Sequence, residues 1–291
     1  MSDIYAEIER EWLRHYKKIG CKIPSRQEFN DVCMESQATS LGEASRGLQP
    51  WLGILEFCIE WLSYVHIALD FKDGANDRGA CHRVAWALTG AAVSFGLSLR
   101  SLCLSGFDTP ARALLRSYVE ALLLCLAALH DESLAKAYAD AEDDADVKNF
   151  WHTVASPKNL HNRIVQIEKD SGLDSETVKI MMEYRQQEYE VLSQSAHLSY
   201  VASCLTAMAP ALGKTDKLGV AIFGLATSNS LRTTQYAAMT AWYFSRFAFN
   251  PILGHDSSNC LLVVEYENDW HQRMVIGRDV LSHVTLGHWK K

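Results

Sequence analysis

Arg112, Arg116 and Glu120 stand at i, i+4 and i+8 in the stretch Asp108–His130, DTPARALLRSYVEALLLCLAALH. On a helix the three fall within about 80° of one another and form one polar stripe on an otherwise apolar rod. A planar guanidinium suits an anion such as a phosphate, so Arg116, with Arg112 beside it, is a candidate phosphate ligand and Glu120 the group that orients it. The plainer alternative is an ion pair between Arg116 and Glu120, because buried charges ordinarily come paired.

A second set follows later in the chain. Tyr189, Ser193 and His197 are spaced by four in EYEVLSQSAHLSY, with Ser195 and Ser199 alongside. Histidine exchanges protons near neutral pH, so His197 is the candidate general acid or base. Ser193 shares its face one turn back and would position a scissile phosphate. The alternative is a hydrogen-bonded histidine among small core residues.

Other motif fragments lead nowhere. Gly213-Lys214-Thr215 imitates the end of a phosphate-binding loop, but Met208 stands where that loop needs its first glycine. Ser133-Leu134-Ala135-Lys136 matches S-x-x-K without its companion motifs. The spacing of His130, His152 and His161 fits no standard ligand set, so neither a metal nor a cofactor is expected.

The elements that must position these groups are helical. The 291 residues are 48% hydrophobic, enough for a sizeable core. A net charge of −7 argues against holding nucleic acid by bulk electrostatics, though not against a local basic patch. Eight scattered cysteines without a CxxC predict a reducing cytosol and no disulfide framework. The charged, amphipathic N-terminus, MSDIYAEIEREWLRHYKK, is unlike a secretory signal. Trp86–Leu104 and Ala113–Leu129 are apolar but short or interrupted by charge, so they read as buried bundle helices rather than membrane spans.

Along the chain, residues 2–19 predict a helix with Ile4, Ile8, Trp12 and Tyr16 on one face. Pro24 to Gly47 reads as an irregular connection with a short helix around Gln27–Cys33. A helix from Pro50, a turn at Lys72–Gly79 and a helix over Ala80–Cys103 follow, the last with Gly90 and Gly96 for close approach. The Asp108–His130 helix would be capped by Asp108 or Thr109 and be apolar all round from Ala121. Ala139–Asp146 reads as solvated, Ser156 and Asp174 as caps, and Ser193–Ser199 as a break in a long helix. Pro210–Gly219 reads as a loop before a helix ending near Phe249, and Leu261–Tyr266 as a short strand or part of a last helix. The expected architecture is all-α: an N-terminal helical extension (1–49), a bundle (50–250) and a C-terminal helix or tail (251–291).

Taken together, GFDTPARALLRSYVEALLLCLAALHDESLAKAY and the later YEVLSQSAHLSY resemble a family of bacterial helical proteins distantly related to the HEPN superfamily. That family carries an ARALLRSxxEA helix and a later YxxLSxxxH segment, and the resemblance covers roughly residues 80–210. It implies a HEPN-like bundle that pairs as a homodimer, and a metal-independent ribonuclease or phosphoryl-transfer effector of stress or phage defence. The implied partners are RNA or a nucleotide and an antitoxin-like protein, with no membrane. The chain departs from the superfamily's R-x4-6-H pattern, since the nearest arginine upstream of His197 is Arg185. The spacing does occur at Arg10–His15 and Arg278–His283, as chance allows. Either Arg116 stands in for the missing arginine in space, or the chain is a non-catalytic interaction or nucleotide-sensing module on the same scaffold.

Overall fold

The computed structural model describes residues 4–19, 26–70, 79–256 and 258–289, and it is 80% helical. The turn expected at Lys72–Gly79 lies outside these but for Gly79. Asp108–His130 is a helix with the predicted bounds, and Ala121–Ala128 is buried on every side. Its neighbours explain why: it is packed by Ala80–Leu104, Ser228–Ile252, Ser175–Ala196 and Pro157–Asp170. In chain order the helices are α1 (Ile4–Ile19), α2 (Arg26–Gly47), α3 (Trp51–Ala68), α4 (Ala80–Leu104), α5 (Asp108–His130), α6 (Glu132–Ala139) and α7 (Asp144–Asn149). After a π-helical turn at Phe150–Val154 come α8 (Pro157–Asp170), α9 (Ser175–Ala196), α10 (Tyr200–Ala207), α11 (Ser228–Ile252) and α12 (Asp269–Trp289).

Small residues let these helices approach. A Cβ on Gly96 would lie 2.8 Å from Ile59 Cγ1 and 3.4 Å from Tyr118 Cε2, so α3 and α5 both close on α4 there. The α4–α5 link turns at Gly106 (φ +75°), whose carbonyl accepts from Leu225 N–H at 3.0 Å. On the far side α12 joins the same core: Trp61 Nε1–H donates to the Met274 carbonyl at 2.9 Å, and Met274 and Leu281 are buried.

Three local expectations are corrected. Residues 26–47 form one continuous helix rather than an irregular connection. The polar sequence hid it; α2 bonds through Ser36 Oγ–H to the Gly224 carbonyl (2.7 Å) and Ser40 Oγ–H to the Leu104 carbonyl (3.4 Å), and Ala44 joins the core. Pro210–Gly219 is not a loop but most of an antiparallel hairpin, β1 (Met208–Ala211) and β2 (Lys214–Val220), turned at Gly213 with φ +72°. Asp108 does not cap α5: the N-cap is Phe107, without a side-chain bond, and Asp108 is buried against Arg112 and Thr233. The other predicted caps form, Ser156 on Asn159 N–H and Asp174 on Glu176 and Thr177 N–H. A two-residue parallel pair, β3 (Leu253–Gly254) and β4 (Leu262–Val263), precedes α12. By length and composition α3, α4 and α5 are each able to cross a membrane, and 61% of the most apolar window of α5 is buried inside the fold.

Candidate functional site

The face of α9 that looks at the bundle carries Arg185, Tyr189 and Ser193 at four-residue intervals. Arg185 meets Glu168 of α8, and Tyr189 and Ser193 both meet Arg116 of α5, so polar side chains fasten α9 on either side of buried Leu192. Arg185 grips Glu168 of α8 with two parallel bonds, Nη1 to Oε1 at 2.5 Å and Nη2 to Oε2 at 3.0 Å, and Tyr243 O–H donates to the same carboxylate at 2.9 Å. Glu168 is completely buried. Burial alone would lower the Arg185 pKa; the Glu168 carboxylate and the Tyr243 oxygen overcome that and raise it. Beside this clamp, Arg232 of α11 pairs with buried Glu188 at 2.7 and 2.9 Å.

One turn further along α9, the structure brings four of the five sequence candidates together. Arg116 Nε donates to Glu120 Oε1 at 3.0 Å, Nη2 to Tyr189 Oη at 2.8 Å, and Nη1 to Ser193 Oγ at 3.4 Å. Arg116 Nη1 also lies 3.3 Å from His197 Nε2. A guanidinium only donates, so in this contact His197 Nε2 is the acceptor. Tyr189 O–H donates in turn to Glu120 Oε1 at 3.2 Å, and its ring lies 5.1 Å below the Arg116 guanidinium carbon. Burial would lower the Arg116 pKa, but Glu120 and Tyr189 outweigh it and hold the arginine charged. The Tyr189 phenol is pushed up by burial and then by the Glu120 carboxylate.

The bonds on Arg116 are unequal. The Nε and Nη2 edge is anchored by the short contacts, whereas both Nη1 contacts are long and lead outward to His197, which is exposed. His197 stands just past the end of α9, where Leu198 takes a left-handed φ of +48° before Ser199 Oγ caps α10 on Ala202 N–H. A bulky residue in that region is strained, and such strain gathers at functional sites. The expected break in the long helix is thus the feature that turns His197 toward Arg116.

The fifth candidate, Arg112, is elsewhere. It is buried, with Nε 3.6 Å from Asp108 Oδ2 and 3.4 Å from Thr233 Oγ1 of α11. Its Nε thus meets Asp108 and α11, and it is not one of the groups that bond Arg116. Tyr189 completes the cluster, and its spacing of four from Ser193 was the signal for it. The spacing did not reveal His161, whose ring meets the Tyr189 ring edge-on at 5.6 Å while Nδ1–H donates to the Pro157 carbonyl at 2.7 Å. Burial lowers the His161 pKa, the Pro157 bond partly opposing it. Among the described residues, no three His, Cys, Asp or Glu side chains are grouped to hold a metal ion.

Compared with known protein families, with characterised proteins and with solved structures, the chain finds no match.

Proposed function

We propose that the Arg116–His197 edge is the reactive centre of a metal-independent ribonuclease, as the HEPN-like motifs on α5 and α9 imply. The observation that carries the reading is the 3.3 Å approach of Arg116 Nη1 to the exposed His197 Nε2. A phosphodiester arriving there exchanges only the two long Nη1 bonds, while Glu120 and Tyr189 keep the guanidinium in place. His197 Nε2 then takes the proton of a ribose 2′-OH. The 2′-oxygen attacks phosphorus, the bond to the 5′-oxygen breaks, and the leaving oxygen takes a proton from water. Arg116 stabilises the charge that develops on the phosphoryl oxygens, and Ser193 positions the group. Tyr200, 84% exposed and three residues beyond His197, offers a ring on which an unpaired base stacks. The reading places the chain in the cytosol as a homodimer burying more than about 1,200 Å² in total. Exposed Leu198, Met208 and Val220 supply apolar surface for that pairing.

The test is incubation of the purified chain with single-stranded RNA in EDTA. The expected products end in a 2′,3′-cyclic phosphate and a 5′-hydroxyl, and DNA of the same sequence, lacking the 2′-OH, stays intact. RNA that also stays intact defeats the reading.

One observation favours a second reading: every nitrogen of Arg116 already has a protein partner. In that case the cluster is the structural seam of a non-catalytic interaction or nucleotide-sensing module, and RNA stays intact with the unmutated chain and with Arg116→Ala alike.

A further inference from the structure

One turn before Tyr189, α9 borders a different feature. Between α5, α9, α11 and the end of α12 lies a cavity of about 160 Å³. Helix α5 contributes Val119 to its wall, α9 Met181 and Tyr184, α11 Met239 and Trp242, and α12 Trp289. The Trp242 and Trp289 rings stand 5.7 Å apart and join α11 to α12 there. Ile180 and Trp289, both substantially exposed, bring the cavity to the surface.

A space of this size is unusual beside helices packed as closely as α5 and α11, because interiors leave few voids larger than a water molecule. Water fills it poorly. A water held inside a fold needs two to four polar partners, and hardly any of this wall's surface is polar. Arg185 borders the cavity, but Glu168 takes its two outer nitrogens, so an anion would shed its water for an apolar wall. Apolar atoms placed here leave water and gain dispersion contacts with aromatic rings and the two methionine side chains at once.

We infer that this cavity binds an uncharged, apolar molecule about the size of a single benzene ring, carrying no hydrogen-bonding group. The volume sets the size, since a cavity of roughly 150 Å³ lined by apolar side chains takes up benzene. The wall sets the chemistry, since a hydroxyl or amide would lose its bonds to water and find no replacement. The inference stands apart from the ribonuclease reading, since none of these groups belongs to the Arg116 cluster.

The test is calorimetric titration of the full chain with toluene and with phenol, which differ by a methyl against a hydroxyl. Toluene is expected to bind at one saturable site, about tenfold or more tighter than phenol. Nuclear Overhauser contacts from the ring protons of bound toluene to the Met181 and Met239 methyl groups should place it in the cavity of the unmutated chain. Val119→Phe adds bulk to the wall and should weaken toluene binding about tenfold or more, with circular dichroism checking that the variant folds. No saturable binding of toluene, phenol bound as tightly as toluene, bound toluene without contact to either methyl group, or undiminished binding by folded Val119→Phe each overturns the inference. Should Val119→Phe not fold, the contacts to the methionine methyl groups decide.

Discussion

Removing the Glu168 carboxylate should destabilise this protein far more than removing the Arg116 guanidinium, although both changes break an arginine–glutamate pair. Glu168 is fully buried and Arg185 nearly so, with side-chain exposures of 0% and 7%. Glu168→Ala therefore leaves a charged guanidinium in the interior and deprives Tyr243 O–H of its acceptor. Breaking one partner out of a buried pair costs about 3–5 kcal/mol, or roughly 5–8 °C in Tm for a chain of this size. Arg116 and Glu120 are 22% and 26% exposed, so water reaches the glutamate once its partner is gone. Arg116→Ala should cost about 1–2 kcal/mol, the sum of a weak ion pair and its lost hydrogen bonds. Replacing both buried partners, as Glu168→Met with Arg185→Met, should recover much of the loss because no charge is stranded. Thermal unfolding followed by circular dichroism reads all three. A drop for Arg116→Ala as large as that for Glu168→Ala would refute the reasoning, since it would make the Arg116 cluster a second structural clamp.

Other outcomes follow from the same geometry. Gly277→Ala puts a methyl carbon 2.6 Å from Trp61 Cδ1 in the α3–α12 contact and should lower stability by about 1–3 kcal/mol in chemical denaturation. Thr227 is buried and forms a reciprocal capping box with Ser230 at the start of α11, so Thr227→Ala should cost about 1–2 kcal/mol in the same assay. His161 has a pKa below its usual 6.5 in the folded state, chiefly through burial. Below pH 6.5 the unfolded chain binds a proton that the folded chain resists, so stability is full above that pH and falls on acidification towards the lowered value. His161→Gln should flatten this part of the Tm–pH curve between neutral and mildly acidic pH; an unchanged slope would assign the acid sensitivity to other groups.

The bounds of α5 were legible because a glycine turn, Pro110 and an unbroken apolar run all sit in one segment. The Arg116–His197 meeting was legible as a pair of four-residue spacings on two helices, even though 81 positions separate the residues. What spacing does not contain is the identity of the neighbour across the gap. Arg112 and Arg116 are about 40° apart on α5, and that angle is enough for one to meet α11 and the other α9. The same blindness hid the Arg185–Glu168 clamp, whose members belong to two different helices, α9 and α8. Helix α2 escaped because its sequence is largely polar and its anchors are few, buried Ala44, an edge-on Phe29–Phe223 contact and two hydroxyl-to-carbonyl bonds. The hairpin escaped because Pro210 and Gly213 are the residues that normally announce a loop; here Gly213 makes the turn between the strands, and the register shifts between Pro210 and Ala211.

The account rests on His197 being held for chemistry rather than for stability. The direct measurement is the initial rate of cleavage of a labelled single-stranded RNA in EDTA by the unmutated chain and by His197→Ala, with Tm recorded on the same samples. Loss of a general base predicts a fall of about 10²–10⁴-fold in rate. The exposed position of His197 and its single long contact with Arg116 predict a Tm within a few degrees of the unmutated chain. Cleavage that survives His197→Ala, with a Tm lowered by many degrees, would contradict the account.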